Sequence, residues 1–172
     1  TILSAQDLCM AGHLRELTEA GVDSLKIEGR AKTFYYAAVV TGAYRRALDA
    51  VAQGKEPPSD VFRELDKVSH REYSTGFYFS RARQQLTDGY IRSWDVCACV
   101  LSCDENGRAR LRQKNKCVAG DELELLMPGR GAVPFVLGPM WDESGAPIGA
   151  APHPMMLFET VLLGAGCILA GL

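Results

Sequence analysis

Asp23-Ser24-Leu25-Lys26-Ile27-Glu28-Gly29-Arg30 is the stretch on which the fold turns. Read as a β-strand, it sends Leu25 and Ile27 to one face and Ser24, Lys26 and Glu28 to the other, because successive side chains alternate. A strand that only filled a core would not carry charge at alternate positions. In a parallel α/β barrel the apolar pair would face the helices. The charged pair would line the mouth at the strand's C-terminal end, where such barrels keep their chemistry. Lys26, Glu28 and Arg30 are therefore the candidate catalytic residues. Arg30 offers a bidentate fork for a carboxylate or phosphate, and Glu28 a proton acceptor or an orienting group. The plainer alternative is an ion bridge among the three, but burying charges is costly unless their geometry is good.

Outward from that strand the pattern is helical. Ser4 and Asp7 read as an N-cap with an acidic capping box, and Leu8, Ala11, Leu14 and Leu17 recur at helical spacing until Gly21, predicting helix one over about 5–20. A second helix is expected from about Thr33 to Gln53, with Tyr36, Val39, Val40, Ala43, Ala47, Leu48 and Val51 on its apolar face. Gly54 to Ser59 breaks it, and a short third helix runs to Val68. Helix, strand, helix is a slice of the alternation that builds a parallel sheet, here the end of a TIM-like barrel, yet one strand cannot cover both its faces. The rest of such a sheet must come from elsewhere. Thr1 without an initiator methionine agrees, and the chain is expected to be a piece of a longer protein.

His70 to Arg92 mixes aromatics with glycine and arginine without a long period and reads as a crossing segment. From Trp94 onward, short Val- and Leu-rich runs alternate with turn signals at Asp104-Glu105-Asn106-Gly107, Ala119-Gly120-Asp121, Pro128-Gly129, Asp142-Glu143-Ser144-Gly145 and Pro152-His153-Pro154. That texture predicts a small antiparallel β-barrel of roughly six strands. The expected domains are 1–92, an α/β piece with a connector helix, and 93–172, the barrel.

Composition narrows the function classes little. With 47% hydrophobic and 23% charged residues the chain is an ordinary globular one, and its net charge of −2 predicts no particular partner. The uncharged run from Thr160 to Leu172 is too short and glycine-rich to span a bilayer, and no leader pattern opens the chain, so a cytoplasmic protein is expected. Six cysteines without a CxxC pair then read as reduced thiols rather than a disulfide framework. Cys97, Cys99, Cys103, Cys117 and Cys167 read as core packing, since same-face neighbours on a strand do not surround a metal. His70 and His153 read as packing or turn elements beside their local punctuation.

Arg108, Arg110, Arg112, Lys114 and Lys116 alternate strictly, so on one extended strand all five would share a face. Such a stripe is either a solvated face or a track for the phosphates of a nucleic acid. Phosphate contacts would supply affinity and salt dependence but no sequence choice.

Three motifs in order, Asp7-Leu8-Cys9-Met10, Gly21 through Arg30, and His70-Arg71-Glu72-Tyr73-Ser74-Thr75-Gly76-Phe77-Tyr78-Phe79, resemble peptidase family U32. Gln113-Lys114-Asn115-Lys116, Gly120-Asp121-Glu122-Leu123-Glu124 and Ala151-Pro152-His153-Pro154 resemble that family's C-terminal barrel domain. The resemblance implies an intact parent holding a [4Fe-4S] cluster on four cysteines, with Cys9 matching the fourth ligand. By itself Cys9 reads as a packing thiol at a helix start. The resemblance further implies prephenate-dependent hydroxylation of a tRNA wobble uridine, with tRNA or another RNA as partner, and a fragment that lacks the cluster and is inactive. Two alternatives stand beside it. One is a collagenase-like peptidase, although the chain shows neither a GxSxG elbow nor an HExxH helix. The other is an RNA- or protein-binding module, and an uncovered strand edge could also pair two copies into a homodimer.

Overall fold

The computed structural model describes residues 4–81, 84–85, 89–149, 157–161 and 168–171. The chain divides into two compact units, Thr1–Ser93 and Trp94–Leu172.

The first unit is built on three helices. A 3-10 turn at Ala11–His13 leads into α1 (Leu14–Glu19), followed by α2 (Phe34–Ala52) and α3 (Ser59–Lys67). Thr33 caps α2 by accepting the Tyr36 N–H at 3.2 Å. The helix buries Tyr35, Val39, Val40, Ala43, Ala47 and Ala50, a face rotated slightly from the expected one, so that Tyr36, Leu48 and Val51 stay half-buried. It stops in a Schellman motif: Lys55 N–H donates to the Ala50 carbonyl and Gly54 N–H to that of Val51, both at 2.9 Å, with Gly54 at φ 72°. α3 packs Val61 and Leu65 inward and is tied to α2 by the Arg46–Asp60 ion pair.

Helix one is shorter than the spacing predicts. Residues expected in its first turns instead form β1 (Ser4–Ala5) and β2 (Asp7–Leu8). β2 runs parallel to β3 (Tyr73–Ser74), and β1 antiparallel to β4 (Gln84–Gln85). Ladder bonds to residues far along the chain thus override a local capping pattern. The stretch 22–29 forms no strand, and Leu25 and Ile27 remain 37% and 36% exposed. No strand among the described residues lies beside it, and without a ladder its apolar face is only partly covered.

The second unit is one antiparallel sheet. Its strands are β5 (Asp95–Cys103), β6 (Arg108–Gln113), β7 (Glu122–Leu126), β8 (Val133–Val136), β9 (Met140–Trp141), β10 (Pro147–Ile148), β11 (Leu157–Val161) and β12 (Ile168–Gly171). They lie in the order β10-β9-β11-β6-β5-β12-β7-β8, eight rather than roughly six, and among the described residues the two terminal strands do not pair with each other. The hairpin from β5 to β6 turns on Asp104, whose Oδ1 accepts the N–H groups of Asn106 and Arg108 at 2.9 and 2.8 Å, with Gly107 at φ 78°. Cys97, Ala98, Val100, Ala109, Leu111, Cys117, Leu123, Leu125, Leu137 and Met140 form its core. Burial pushes the Cys97 thiol up to about 11 and the Cys117 thiol up to about 12, as packing cysteines require. Cys99 and Cys103 are half-buried, while Cys167 and His153 fall outside the described residues. No helix among the described residues is long and apolar enough to cross a membrane.

Candidate functional site

Cys9 is positioned by the parallel pairing of β2 and β3. Asp7 N–H donates to the Glu72 carbonyl at 3.0 Å and Cys9 N–H to that of Ser74 at 2.9 Å, which fixes the backbone on both sides of Leu8. The thiol is half-buried, and Tyr44 reaches it from α2. The Tyr44 hydroxyl accepts the Met10 N–H at 3.0 Å and donates toward Cys9 Sγ at 3.8 Å. With the backbone occupying an acceptor site, the single hydroxyl proton is left for the sulfur.

Three tyrosines share this neighbourhood, and each is held above the ordinary phenol range. Desolvation is the first cause in every case. For Tyr44 and Tyr73 the charge of an ionised Cys9 comes next, and for Tyr36 that of Asp7, followed by Cys9 and Glu28. All three stay neutral hydrogen-bonding groups at physiological pH. Tyr73 donates its hydroxyl to the Leu65 carbonyl at 2.8 Å and stacks on the His70 ring, centroids 4.0 Å apart.

Cations border the group. Lys32 donates to the Ser69 carbonyl at 2.8 Å, and its ammonium lies 4.4 Å from the Tyr90 ring centroid and 5.2 Å from that of Tyr36. Arg71 places its guanidinium 5.1 Å from the same Tyr90 ring, while its backbone N–H donates to Asp7 Oδ2 at 3.0 Å. His70 turns Nδ1 toward the Arg71 carbonyl. Its Nε2 and the Nε of Arg71 are buried with no partner among the described residues. The reading of His70 as a packed residue agrees with its 4% exposure.

The residues singled out in the sequence fare unevenly. Lys26, Glu28 and Arg30 lie on the exposed, unpaired segment and do not line a barrel mouth within this chain. Glu28 Oε1 accepts the Arg30 backbone N–H at 2.8 Å, so the expected contact between them is a local turn bond rather than an ion pair. The Glu28 carboxylate is among the charges that raise Tyr36, after burial, Asp7 and Cys9. The tyrosines, Lys32 and Arg71 were not singled out by sequence reasoning. The signal available was the density of aromatic and basic residues in the third motif and at the start of the second helix.

In the second unit Arg108, Arg110 and Arg112 are exposed along β6, and Ala109, Leu111 and Gln113 are buried between them. The strand ends at Gln113, where Lys114 N–H and Asn115 N–H both donate to the Cys97 carbonyl at 2.8 and 3.1 Å. Lys114 and Lys116 are exposed but lie on the bend beyond it, so the stripe is three residues long rather than five. Two of the three are engaged. Arg110 pairs with Glu143 at 2.8 Å, and the Arg108 guanidinium lies 5.1 Å from the Trp141 ring centroid. The register also sets Glu159 of β11 opposite Arg110.

Residues 1–88 match peptidase family U32, and residues 92–165 match the peptidase family U32 C-terminal domain. A tRNA hydroxylation protein of Bacillus subtilis is 31% identical over 165 residues, covering 91% of this chain and 39% of that protein. One from Escherichia coli is 33% identical over 168 residues, covering 88% of this chain and 34% of its own length. An uncharacterised protease of Methanocaldococcus jannaschii is 48% identical over 80 residues, covering 45% of this chain and 19% of its own. The chain thus spans well under half the length of the curated relatives it matches. The two matches abut near the boundary between the compact units and carry the order of motifs from Cys9 to the small sheet, and on that ground the chain belongs to peptidase family U32.

Proposed function

We propose that this chain is the C-terminal part of an iron–sulfur protein that hydroxylates a tRNA base, a wobble uridine by family resemblance, and that it supplies one cluster ligand and an RNA-docking surface. The observation that carries the reading is the placement of Cys9. It is the single cysteine of the first unit, its backbone is bonded to Ser74, and its sulfur receives the Tyr44 hydroxyl. Among the described residues no group of three histidine, cysteine or carboxylate side chains surrounds a common point. By family resemblance Cys9 would be one ligand of a set shared with the rest of the protein, as a thiolate-held [4Fe-4S] cluster requires. When bound, such a cluster supplies single electrons.

The protein's own groups then divide the work. Tyr44 orients the Cys9 sulfur and moderates its charge. Lys32 and Arg71 form a positive border suited to a carboxylate or phosphate, and Tyr36 with Tyr73 keeps water from that side. Lys26, Glu28 and Arg30 become the polar floor of the reaction cavity once the strand is paired by the remainder of a closed α/β barrel, with Glu28 as proton acceptor. The small sheet docks RNA through Arg112, Lys114 and Lys116, with Arg108 and Arg110 adding charge beyond their pairings. The names of the relatives support this reading. A peptidase is less well supported, because the sequence carries neither a GxSxG elbow nor an HExxH helix.

The test is nucleoside analysis of tRNA from cells lacking the gene. Hydroxylated uridine should vanish, return with the wild-type gene and stay absent with Cys9→Ala. A deletion strain with unchanged hydroxyuridine would end the proposal.

A further inference from the structure

We infer that Phe77, Tyr78 and Phe79 form a stacking surface for unpaired RNA bases. This rests on the tRNA reading above and names the element that would hold the loop. The three rings are consecutive and are 82%, 62% and 58% exposed. Solvent exposure of three adjacent aromatic residues is costly for a turn with only a structural task.

The turn that presents them is built rather than slack. Gly76 adopts φ 56°, its N–H donates to Ser74 Oγ at 3.3 Å, and the Tyr78 N–H donates to the Thr75 carbonyl at 3.2 Å. Leu8 backs it: a Cβ at Gly76 would sit 3.4 Å from Leu8 Cδ1. The Phe79 ring lies 4.4 Å from that of His13, centroid to centroid, at an interplanar angle of 41°. The Phe79 ring, packed in this way, loses little freedom on binding.

Ring chemistry and charge select the occupant. A flat π face accepts any base and discriminates unpaired from paired nucleic acid, because duplex bases are already stacked. The sequence continues Ser80-Arg81-Ala82-Arg83, placing two cations within four residues of the last ring. The acid closest before the rings, Glu72, already accepts from Gln6 Nε2 at 2.9 Å. Aromatics followed closely by arginines suit a single-stranded nucleic acid better than an aliphatic protein surface. The turn also leaves the strand that positions Cys9, since the Ser74 carbonyl holds the Cys9 N–H. A loop stacked there is anchored to the element that places the sulfur.

The experiment measures binding of the 172-residue chain to a stem-loop RNA with unpaired uridines in its loop, and to a fully paired duplex of equal charge. Phe77→Ala/Phe79→Ala should weaken stem-loop binding tenfold or more, about tenfold for each stacked base. It should leave duplex affinity and the salt slope unchanged, while Phe77→Trp/Phe79→Trp restores stem-loop binding. Tyrosine near-ultraviolet circular dichroism checks that the first unit stays folded. Unchanged stem-loop affinity, or equal loss for both RNAs, overturns the stacking surface while tRNA docking through the basic strand stands. A dimer of the chain that the alanine variant dissociates assigns the rings to a second copy and also overturns it. If the wild-type chain binds neither RNA, the docking role proposed above falls with it.

Discussion

The two units treat their large apolar side chains differently. Among the described residues the first leaves eleven exposed, from Leu8 and Val22 to Tyr90 and Ile91, and the second leaves two, Leu101 and Val136. The second folds a sheet over a core of its own. The first has helices with a well-buried common face, α2 against α3, but only two-residue strands and an unpaired segment where a sheet would back them. Among the described residues, burial is thus more nearly complete where each ladder finds its neighbour inside the unit than where it does not. Apolar surface is not an error in such a unit, since a docking face and an uncovered barrel wall look alike until something is placed on them.

The partition of chromophores allows that contrast to be broken or sharpened. Both tryptophans, Trp94 and Trp141, lie in the second unit and all six tyrosines in the first, so each unit has its own optical signal. The largest effect is expected from Leu111→Ala, which empties a fully buried position in the sheet. It should cost about 2–5 kcal/mol and lower the tryptophan-detected melting temperature. The tyrosine signal should hardly move if the units melt independently, and a joint shift would break the contrast.

Alkali should act next. The folded Cys97 and Cys117 thiols titrate near 11 and 12, above the ordinary thiol range, so unfolded chains release these protons first as pH rises. Stability of the second unit should be intact below about pH 9 and fall as pH rises toward the folded values. Urea midpoints read by tryptophan fluorescence at rising pH should show the decline, and Cys117→Val should lessen it. In the first unit, Thr33→Ala removes the cap of α2 and should cost about 1 kcal/mol, read in the tyrosine signal alone. The smallest effect is expected from Arg110→Ala. Its pair with Glu143 is half-exposed, so stability should change by less than about 1 kcal/mol. Tryptophan-detected denaturation checks this, and a larger loss would mean the pair is structural.

Legibility in the sequence followed the range of the interactions that decide each element. The alternation of Arg108 to Gln113 predicts its own exposure pattern because a hairpin with a local Asp104–Gly107 turn supplies the partner strand. Gly54 likewise marks the end of α2 through bonds within a few residues. Ser4 to Leu8 misleads because its partners lie near residues 73 and 85, and distant pairing outweighs a capping pattern. Lys26 to Arg30 forms no strand for the related reason that alternation describes a strand only when another strand lies beside it. The basic run is legible up to Gln113, after which the two hydrogen bonds that Lys114 and Asn115 N–H donate to the Cys97 carbonyl bend the chain. Cys9 was legible as a candidate through family resemblance, whereas Tyr44 and Tyr73 join it only when separate elements converge, which spacing does not encode.

Both terminal strands of the eight-stranded sheet contain a proline, Pro134 in β8 and Pro147 in β10. A proline has no N–H to offer a newcomer, so each flank is blunted against the addition of another strand. The small domain is therefore guarded against seeding fibrils from its own sides at high concentration.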